Sequence, residues 1–363
     1  MAVGNTTGTL LRFTLFGESH GVAIGGIIDG FPAGFEVNTA FIDEMLAQRS
    51  STTARYETRR KESDEVEFLS GIVNGRTIGS PVAFLIRNKN NRGSDYESLK
   101  DVFRPGHADW VYYQKYGIHP QPGGGRASGR ETAARVVAGA LAIDFLKGQG
   151  IEIGSFVSEI AGIHAQVDST TISVQEVLQS DLYCPDSDAS RKMNAFLEKL
   201  ADENDSAGGV VSTFVRGLPA GLGEPVFAKI SSLLAAAALS IPAARGVDFG
   251  DGLTASTLLG SEFNDVMHSV NGKTVFATNH SGGIQAGISN GNTLLMRTFF
   301  RPPSSIAKVQ QTVDLKGNQV QIEVKGRHDV CFVPRAAVVV SSMVALVIMD
   351  LFLQKKSYDL GGK

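Results

Sequence analysis

Gly30-Phe31-Pro32-Ala33-Gly34-Phe35 returns later in the chain as Gly217-Leu218-Pro219-Ala220-Gly221-Leu222. Each copy follows an apolar, β-rich run and precedes a helical pattern. Two further echoes keep the same order. Gly71-Ile72-Val73-Asn74-Gly75 is echoed by Gly287-Ile288-Ser289-Asn290-Gly291, and the apolar run from Ala140 to Leu146 by Ala345 to Leu353. One matched Gly/Pro turn carries little weight. Three in order indicate a duplicated unit, with a period too long for a solenoid. Each unit reads as strands, a helix, more strands and a long helix. Asn38 is placed to cap a helix with Phe41, Ile42, Met45 and Leu46 on one face. Its counterpart runs from Pro225 to Leu239, and Arg130 to Leu146 is a second, Ala-rich helix. Strands are expected at Leu10 to Phe16, Val22 to Asp29, Val82 to Arg87, Val210 to Arg216, Leu294 to Phe300 and Val320 to Val324. One sheet and two helices per half pack most economically with the helices in the middle and a sheet on either side. The expected fold class is therefore α+β: a β-α-β sandwich with a helical core between two antiparallel sheets, internally duplicated. One domain is expected over residues 1–363, with halves at about 1–150 and 206–355 and the polar stretch 166–205 as an insertion.

Composition excludes several classes. A net charge of −3 over 363 residues leaves no basic excess for a nucleic-acid partner. Cys184 and Cys331 are too few for a disulfide framework and fit a reducing compartment. The first residues lack the basic start and apolar core of a signal peptide, so a cytoplasmic location is expected. Ala336 to Leu353 is nearly all apolar, but it is short for a span and interrupted by Ser341, Ser342 and Asp350. It reads as a buried core helix rather than a membrane segment.

Four motifs carry chemistry. Gly123-Gly124-Gly125-Arg126-Ala127-Ser128-Gly129-Arg130-Glu131 sits directly before the Ala-rich helix. Its glycines expose backbone N–H groups, its arginines add fixed charge, and a helix N-terminus follows. That is an anion site, suited to phosphate. It is neither a Walker loop nor a dinucleotide fingerprint. Gly17-Glu18-Ser19-His20-Gly21 satisfies G-x-S-x-G, but the nucleophile elbow needs a helix next and the sequence offers a strand. His20 held in a tight turn with Ser19 as a hydrogen-bond donor is the better functional reading, and a plain hairpin with a surface histidine is the alternative. In Arg104-Pro105-Gly106-His107-Ala108-Asp109 the histidine suits a proton donor near neutral pH, oriented or tuned by Asp109. A turn with a satisfied histidine is the alternative there. Gly326-Arg327-His328-Asp329, with Arg335 beyond, offers an anion-binding arginine and a carboxylate base, or a solvated charge cluster. His20, His107, His119 and Asp109 show no short ligand spacing, so no metal is expected. The basic run Arg49, Arg55, Arg59, Arg60 and Lys61 reads as a solvated face, except that Arg49 ends the first helix beside a Ser/Thr-rich loop.

Together, from about Gly4 to Leu353 and in order, these motifs resemble the chorismate synthase family. The resemblance implies a β-α-β sandwich, a homotetramer and reduced FMN. It implies a lyase of the shikimate pathway that removes phosphate and a proton from 5-enolpyruvylshikimate 3-phosphate, giving chorismate with no net redox change. By that resemblance His20, His107 and Asp329 are catalytic. His107 keeps the reduced flavin anionic, His20 protonates the departing phosphate, and Asp329 stands near flavin N5. Arg49, Arg130 and Arg327 are substrate-side positions. Ser19, Arg126, Ala127, Ser128, Pro242, Ala243, Ala286, Arg301, Pro302, Pro303, Ser304, Ser305 and Arg327 are flavin-side positions. Arg49 and Arg55 relate to NADPH, a possible reductant, and an external flavin reductase is the other route. The chain departs from the family pattern in places. Gln48-Arg49-Ser50-Ser51-Thr52 stands where a run of arginines and Pro-Gly is usual. Ala127 replaces a serine, Pro242 an asparagine, Arg301 a lysine, and Ser341-Ser342 a position often held by Glu. A non-catalytic flavin or sugar-phosphate binding protein of the same fold is the competing expectation.

Overall fold

The structure, a computed structural model, describes residues 4–50, 64–89, 101–118, 122–324 and 329–358. The first part of the chain forms β1 (Thr6–Thr7), β2 (Arg12–Gly17), β3 (Ala23–Asp29), α1 (Thr39–Arg49), β4 (Val66–Ser70), β5 (Ile72–Val73), β6 (Arg76–Thr77), β7 (Val82–Arg87), α2 (Asp109–Tyr116) and α3 (Thr132–Lys147). There follow β8 (Glu152–Ile160), β9 (Ile163–His164), α4 (Val174–Leu178), α5 (Ser187–Asp202), β10 (Gly209–Arg216), α6 (Ile230–Leu239) and β11 (Ala244–Phe249). Last come α7 (Gly260–Phe263), β12 (Met267–Val270), β13 (Lys273–Phe276), β14 (Ile284–Gln285), β15 (Ile288–Ser289), β16 (Leu294–Phe300), β17 (Val309–Val313), β18 (Gln319–Glu323) and α8 (Val333–Tyr358).

Two antiparallel sheets carry the fold. One runs β1-β2-β3-β7-β4, and the other, read in the matching direction, β9-β8-β10-β16-β11. In each half two paired strands lead into a short helix, two more strands follow, and a long helix closes the unit. The halves also share a side-chain device. Thr77 Oγ1 donates to Pro32 O at 2.7 Å and accepts from the Phe35 N–H at 3.0 Å. Ser289 Oγ donates to Pro219 O at 2.7 Å and accepts from the Leu222 N–H at 2.9 Å. Each hydroxyl ties a small hairpin to one copy of the opening hexapeptide. The matching turns are Asn74-Gly75 and Ala286-Gly287, all four at positive φ. Gly75 therefore corresponds to Gly287, not to Gly291 as the sequence echo has it. Glycine turns at either end of a two-residue strand look alike in sequence, and only the pairing separates them.

All six expected strands are present, β7 and β16 with the expected ends and the others shifted by a residue or two. The structure adds β8 and β11, which pattern reading does not mark. Between its ends β8 is buried on both faces, because Phe156 packs with Phe214 and with Val177 of α4 on the side away from α8, and the alternation that signals a strand is lost. β11 carries Arg245 and Asp248, and Asp248 pairs with Arg297 on neighbouring β16 at 2.6 Å. α6 begins at Ile230 rather than Pro225. The polar stretch 166–205 contains α4 and α5, and Ala189, Met193 and Leu197 of α5 are buried in the main core.

The helices lie between the sheets. α3 packs on the first, α6 and α8 on the second, α3 packs along α8, and α1 packs against both α3 and α8. At their crossing Gly139 faces Ser342. A Cβ on Gly139 would stand 2.2 Å from Ser342 Cβ and 2.4 Å from its Cα. By length and composition α8 would cross a membrane, yet most of it is buried inside the protein, as the core-helix reading requires. Its polar residues have buried partners. Ser341 Oγ donates to Ser155 Oγ of β8 at 2.7 Å, which in turn meets Thr213 Oγ1 of β10 at 2.7 Å. The Asp350 carboxylate accepts the backbone N–H groups of Thr9, Leu10 and Leu11 at 2.9, 2.7 and 2.8 Å, fastening the end of α8 to the entry of the first sheet.

Gly139→Ala removes a glycine from a helix interior, worth about 1 kcal/mol of helix propensity, yet its methyl meets Ser342 backbone. The expected net change is a loss of about 1–3 kcal/mol in denaturant unfolding. Asp350→Ala strips a charged acceptor from three backbone donors and is expected to cost about 3 kcal/mol or more, read as a lower midpoint with unchanged slope.

Candidate active site

A cavity of about 410 Å³ opens where the N-terminal ends of α3 and α8 meet the loops between them. Its wall includes Arg49 and Ser50 from the end of α1, Arg104 and His107 before α2, the glycine loop with Ala127, Ser128 and Arg130, and Thr132 of α3. Pro242 and Ala243 after α6, Arg301 and Pro303-Ser304-Ser305 after β16, and Asp329, Phe332, Arg335 and Val339 complete it. Two helix N-termini and several guanidiniums converge on one volume, the arrangement that favours a bound anion.

The glycine loop is built for close approach. Gly123, Gly124 and Gly125 have φ of 70°, 87° and 52°, which a side chain would resist. Ser128 caps the turn that leads into α3, its Oγ accepting from the Arg130 N–H at 3.3 Å. Gly123 lies against His20: a Cβ there would stand 2.2 Å from the imidazole Cε1. The ring is set by Ser19, whose Oγ is 3.0 Å from Nδ1, and the Ser19 N–H donates to Gly125 O at 3.2 Å. Ser19 and His20 thus lie directly behind the glycine wall. The chain passes from β2 through this turn into β3 with no helix, so the nucleophile-elbow geometry is absent and Ser19 is no hydrolase nucleophile.

His107 stands in a turn with Gly106 at φ 69°. Its Nε2 is 2.8 Å from Ser305 Oγ. Arg301 Nη2 and Ser304 Oγ both donate to Gly106 O, at 3.2 and 2.9 Å, so the 301–305 loop and the histidine turn are stitched together. Arg301 N–H donates to Ala243 O at 3.1 Å, bringing in the turn after α6, where Ala243 has φ 70°. Burial, and the charge of Arg245, pull the Arg301 guanidinium below its ordinary pKa. Asp109 interacts electrostatically with His107, and it accepts hydrogen bonds from Arg104. It is clamped by Arg104, with Nε to Oδ2 at 2.7 Å and Nη2 to Oδ1 at 2.8 Å. Burial pushes the Asp109 carboxyl up, but the Arg104 hydrogen bonds and charge outweigh it and hold the group below the usual carboxylate range. Asp329 pairs with Arg335 in the first turn of α8.

The structure brings most of the expected residues to the cavity and leaves others out. His107, Asp329, Arg49, Arg130, Ala127, Ser128, Pro242, Ala243, Arg301, Pro303, Ser304 and Ser305 line it. Arg126 turns away: its guanidinium donates to Leu15 O at 2.6 Å and Asn5 Oδ1 at 2.8 Å, bracing the loop on β2 rather than facing a ligand. Pro302 contributes its carbonyl to Arg301 at 2.7 Å and is not on the wall. Ala286 occupies the β14–β15 turn, away from the cavity of this chain. Arg327 and Arg55, with Arg59, Arg60, Lys61 and His119, lie outside the described residues. Sequence reading missed Asp64, which lines the cavity between Arg49 and Arg130. The one available signal was an acidic residue closing a basic run, which ordinarily means a solvated face. Among the described residues no group of three or more His, Cys, Asp or Glu is placed to hold a metal.

The chorismate synthase family model matches residues 11–353. The chain belongs to the chorismate synthase family. It is 45% identical to the chorismate synthase of Christiangramia forsetii, over 98% of this chain and 99% of that one. It is 47% identical to that of Archaeoglobus fulgidus, over 97% and 98%. A crystal structure of chorismate synthase superposes with a TM-score of 0.78 at 29% identity, covering 96% of this chain and 93% of the other. The family fold is the α+β sandwich described above, and its members are phosphate-eliminating lyases, so the charged cavity lies in an enzyme.

Gly123→Ala is expected to displace His20 and lower turnover at least about tenfold with the fold intact, checked by activity beside circular dichroism. Asp109 has a depressed folded pKa. Its pairing therefore stabilises the fold fully above the unfolded value of about 3.9 and is lost as pH falls through the lower folded value. The stability gap between wild type and Asp109→Asn is expected to narrow as pH drops below about 4, measured by urea unfolding across pH.

Proposed function

We propose that this protein catalyses the anti-1,4-elimination of phosphate from 5-enolpyruvylshikimate 3-phosphate to give chorismate, with reduced FMN bound and no net redox change. The observation that carries the reading is the convergence of His107, Asp329, Arg49, Arg130 and the glycine loop on one cavity, from segments far apart in sequence. The substrate carries a phosphate and two carboxylates, and a wall rich in guanidinium groups with two helix N-termini is what desolvating such a polyanion requires. Arg49 and Arg130, with Arg327, are the substrate-side groups. Phosphate gains negative charge as its C–O bond breaks, and His20, behind Gly123 with Ser19 on its Nδ1, supplies the proton. His107, fixed by Ser305, holds positive charge beside the flavin. Asp329, fixed by Arg335, holds the proton that leaves the substrate carbon.

The wall fits a flavin chemically. Ile241, Pro242, Phe332 and Val339 offer apolar surface for a flat ring system, while Ala127, Ser128, Arg301, Ser304 and Ser305 offer polar groups. Arg301 Nε is buried with no partner within the described residues, a donor that a ligand oxygen would satisfy. When bound, reduced FMN supplies transient electron donation that is recovered at the end, chemistry that belongs to the cofactor. The proposal extends to a cytoplasmic homotetramer, with NADPH or an external reductase as the source of electrons. It treats residues 1–363 as one domain of two related halves, with 166–205 an insertion. The matching strand orders and the paired Thr77 and Ser289 devices support that division.

The test is anaerobic product formation from the named substrate with photoreduced FMN, with and without NADPH. Chorismate appearing with reduced FMN is the expected result. Flavin binding without turnover would instead support the non-catalytic alternative. His107→Ala is expected to lower kcat by about 100-fold or more, the typical scale for a lost electrostatic stabiliser, while folding and FMN binding survive. Full activity in that variant would remove His107 from the mechanism.

A further inference from the structure

The two arginines assigned to the substrate are already holding an anion. Asp64 places Oδ2 on Arg49 Nη1 at 3.2 Å and Oδ1 on Arg130 Nη1. The three side chains are 4%, 14% and 5% exposed respectively, so this ion cluster is screened from water. The rest of the Arg49 fork is also engaged, with Nε on Thr132 Oγ1 at 2.9 Å and Nη2 on Gly129 O at 3.1 Å. Arg130 Nε donates to Asn88 Oδ1 at 3.1 Å. All three members of the cluster line the cavity. An oxyanion that reaches both guanidiniums therefore meets a carboxylate already bridging them. Without exchange it would sit against a like charge in a poorly screened place. With exchange, each guanidinium keeps one anionic partner throughout, and neither is left buried and unpaired at any stage.

We propose that Asp64 is an internal competitor for the oxyanion of the substrate: its carboxylate leaves the Arg49–Arg130 pair as that group binds and returns as inorganic phosphate departs. The inference rests on the substrate assignment above and adds a residue that sets how tightly phosphate is held. A lyase that releases inorganic phosphate into a positively lined cavity faces slow release and strong product inhibition. A carboxylate able to reoccupy the same two arginines opposes both. The effect falls on affinity and release rather than on bond breaking, so Asp64 is a positioning and specificity residue rather than a catalytic one.

The experiment is calorimetric titration of inorganic phosphate into FMN-loaded wild type, Asp64→Asn and Asp64→Ser, with the inhibition constant of phosphate measured beside it. Removing the competing charge is expected to tighten phosphate binding about tenfold in both variants. It should also lower KM for the substrate and lower kcat where phosphate release limits turnover. Unchanged or weaker phosphate binding in both variants would overturn the proposal and make Asp64 a clamp that merely shapes the arginines. Failure of both variants to fold would overturn it in the same way. The titration needs no turnover, so an inactive wild type would count against the assigned reaction, while the phosphate affinities would still decide the role of Asp64.

Discussion

The backbones of α3 and α8 touch at Gly139 and Ser342, and the rest of the molecule is arranged around that contact. Helices approach this closely only where one has no Cβ, and the alanines that follow Gly139 along α3 keep the seam narrow. A narrow seam draws in the sheets on either side, which set their apolar faces against the helix pair: Ile24, Ile28, Val82, Phe84 and Ile86 in one, Val211, Val215, Leu294 and Met296 in the other. Each half supplies one helix to the seam, so neither half can bury its own apolar face alone. That places the helices and the inner faces of both sheets in one shared core.

The same crossing creates the site. Both long helices begin at the cavity, α3 behind the glycine loop and α8 behind Asp329. Their N-termini add partial positive charge to a wall that already holds Arg49, Arg104, Arg130, Arg301 and Arg335. So much positive charge would be costly in an empty protein, and the structure balances it from within. Asp109 neutralises Arg104, Asp329 pairs with Arg335, and Asp64 bridges Arg49 and Arg130. These pairings are compatible with a stable ligand-free fold. They also fix the order of strength in the site, because an incoming anion must compete with carboxylates rather than with water.

Much of this was legible in the sequence, and the exceptions have physical causes. The hexapeptide at Gly30 and its copy at Gly217 marked the duplication because a tight turn limits its residues to Gly, Pro and small side chains. The glycine loop was legible for a similar reason: three successive residues at positive φ leave few alternatives to glycine. β8 was not legible, since a strand buried on both faces loses its alternation. Asp350 looked like a flaw in an apolar helix, and its partners, the N–H groups of Thr9, Leu10 and Leu11, carry no side-chain signature at all. Arg126 read as an anion-binding group because it stands in the loop, but its direction is set by the carbonyls of β2.

By itself, then, the sequence determined where the long helices and the repeated Gly-x-Pro-Ala-Gly turns fall, and which residue types are available for chemistry on a phosphorylated polyanion. Those are local matters, governed by backbone preference and side-chain type within a few residues. The tertiary structure alone decided which charges meet: that His107 lies against Ser305 while Arg104 clamps Asp109, that Ser19 and His20 stand behind Gly123, and that Asp64 bridges Arg49 and Arg130. Hydrogen bonds and ion pairs act over a few ångströms in space while their partners stand as many as 341 positions apart along the chain. Only the packing of the two halves brings them within that range.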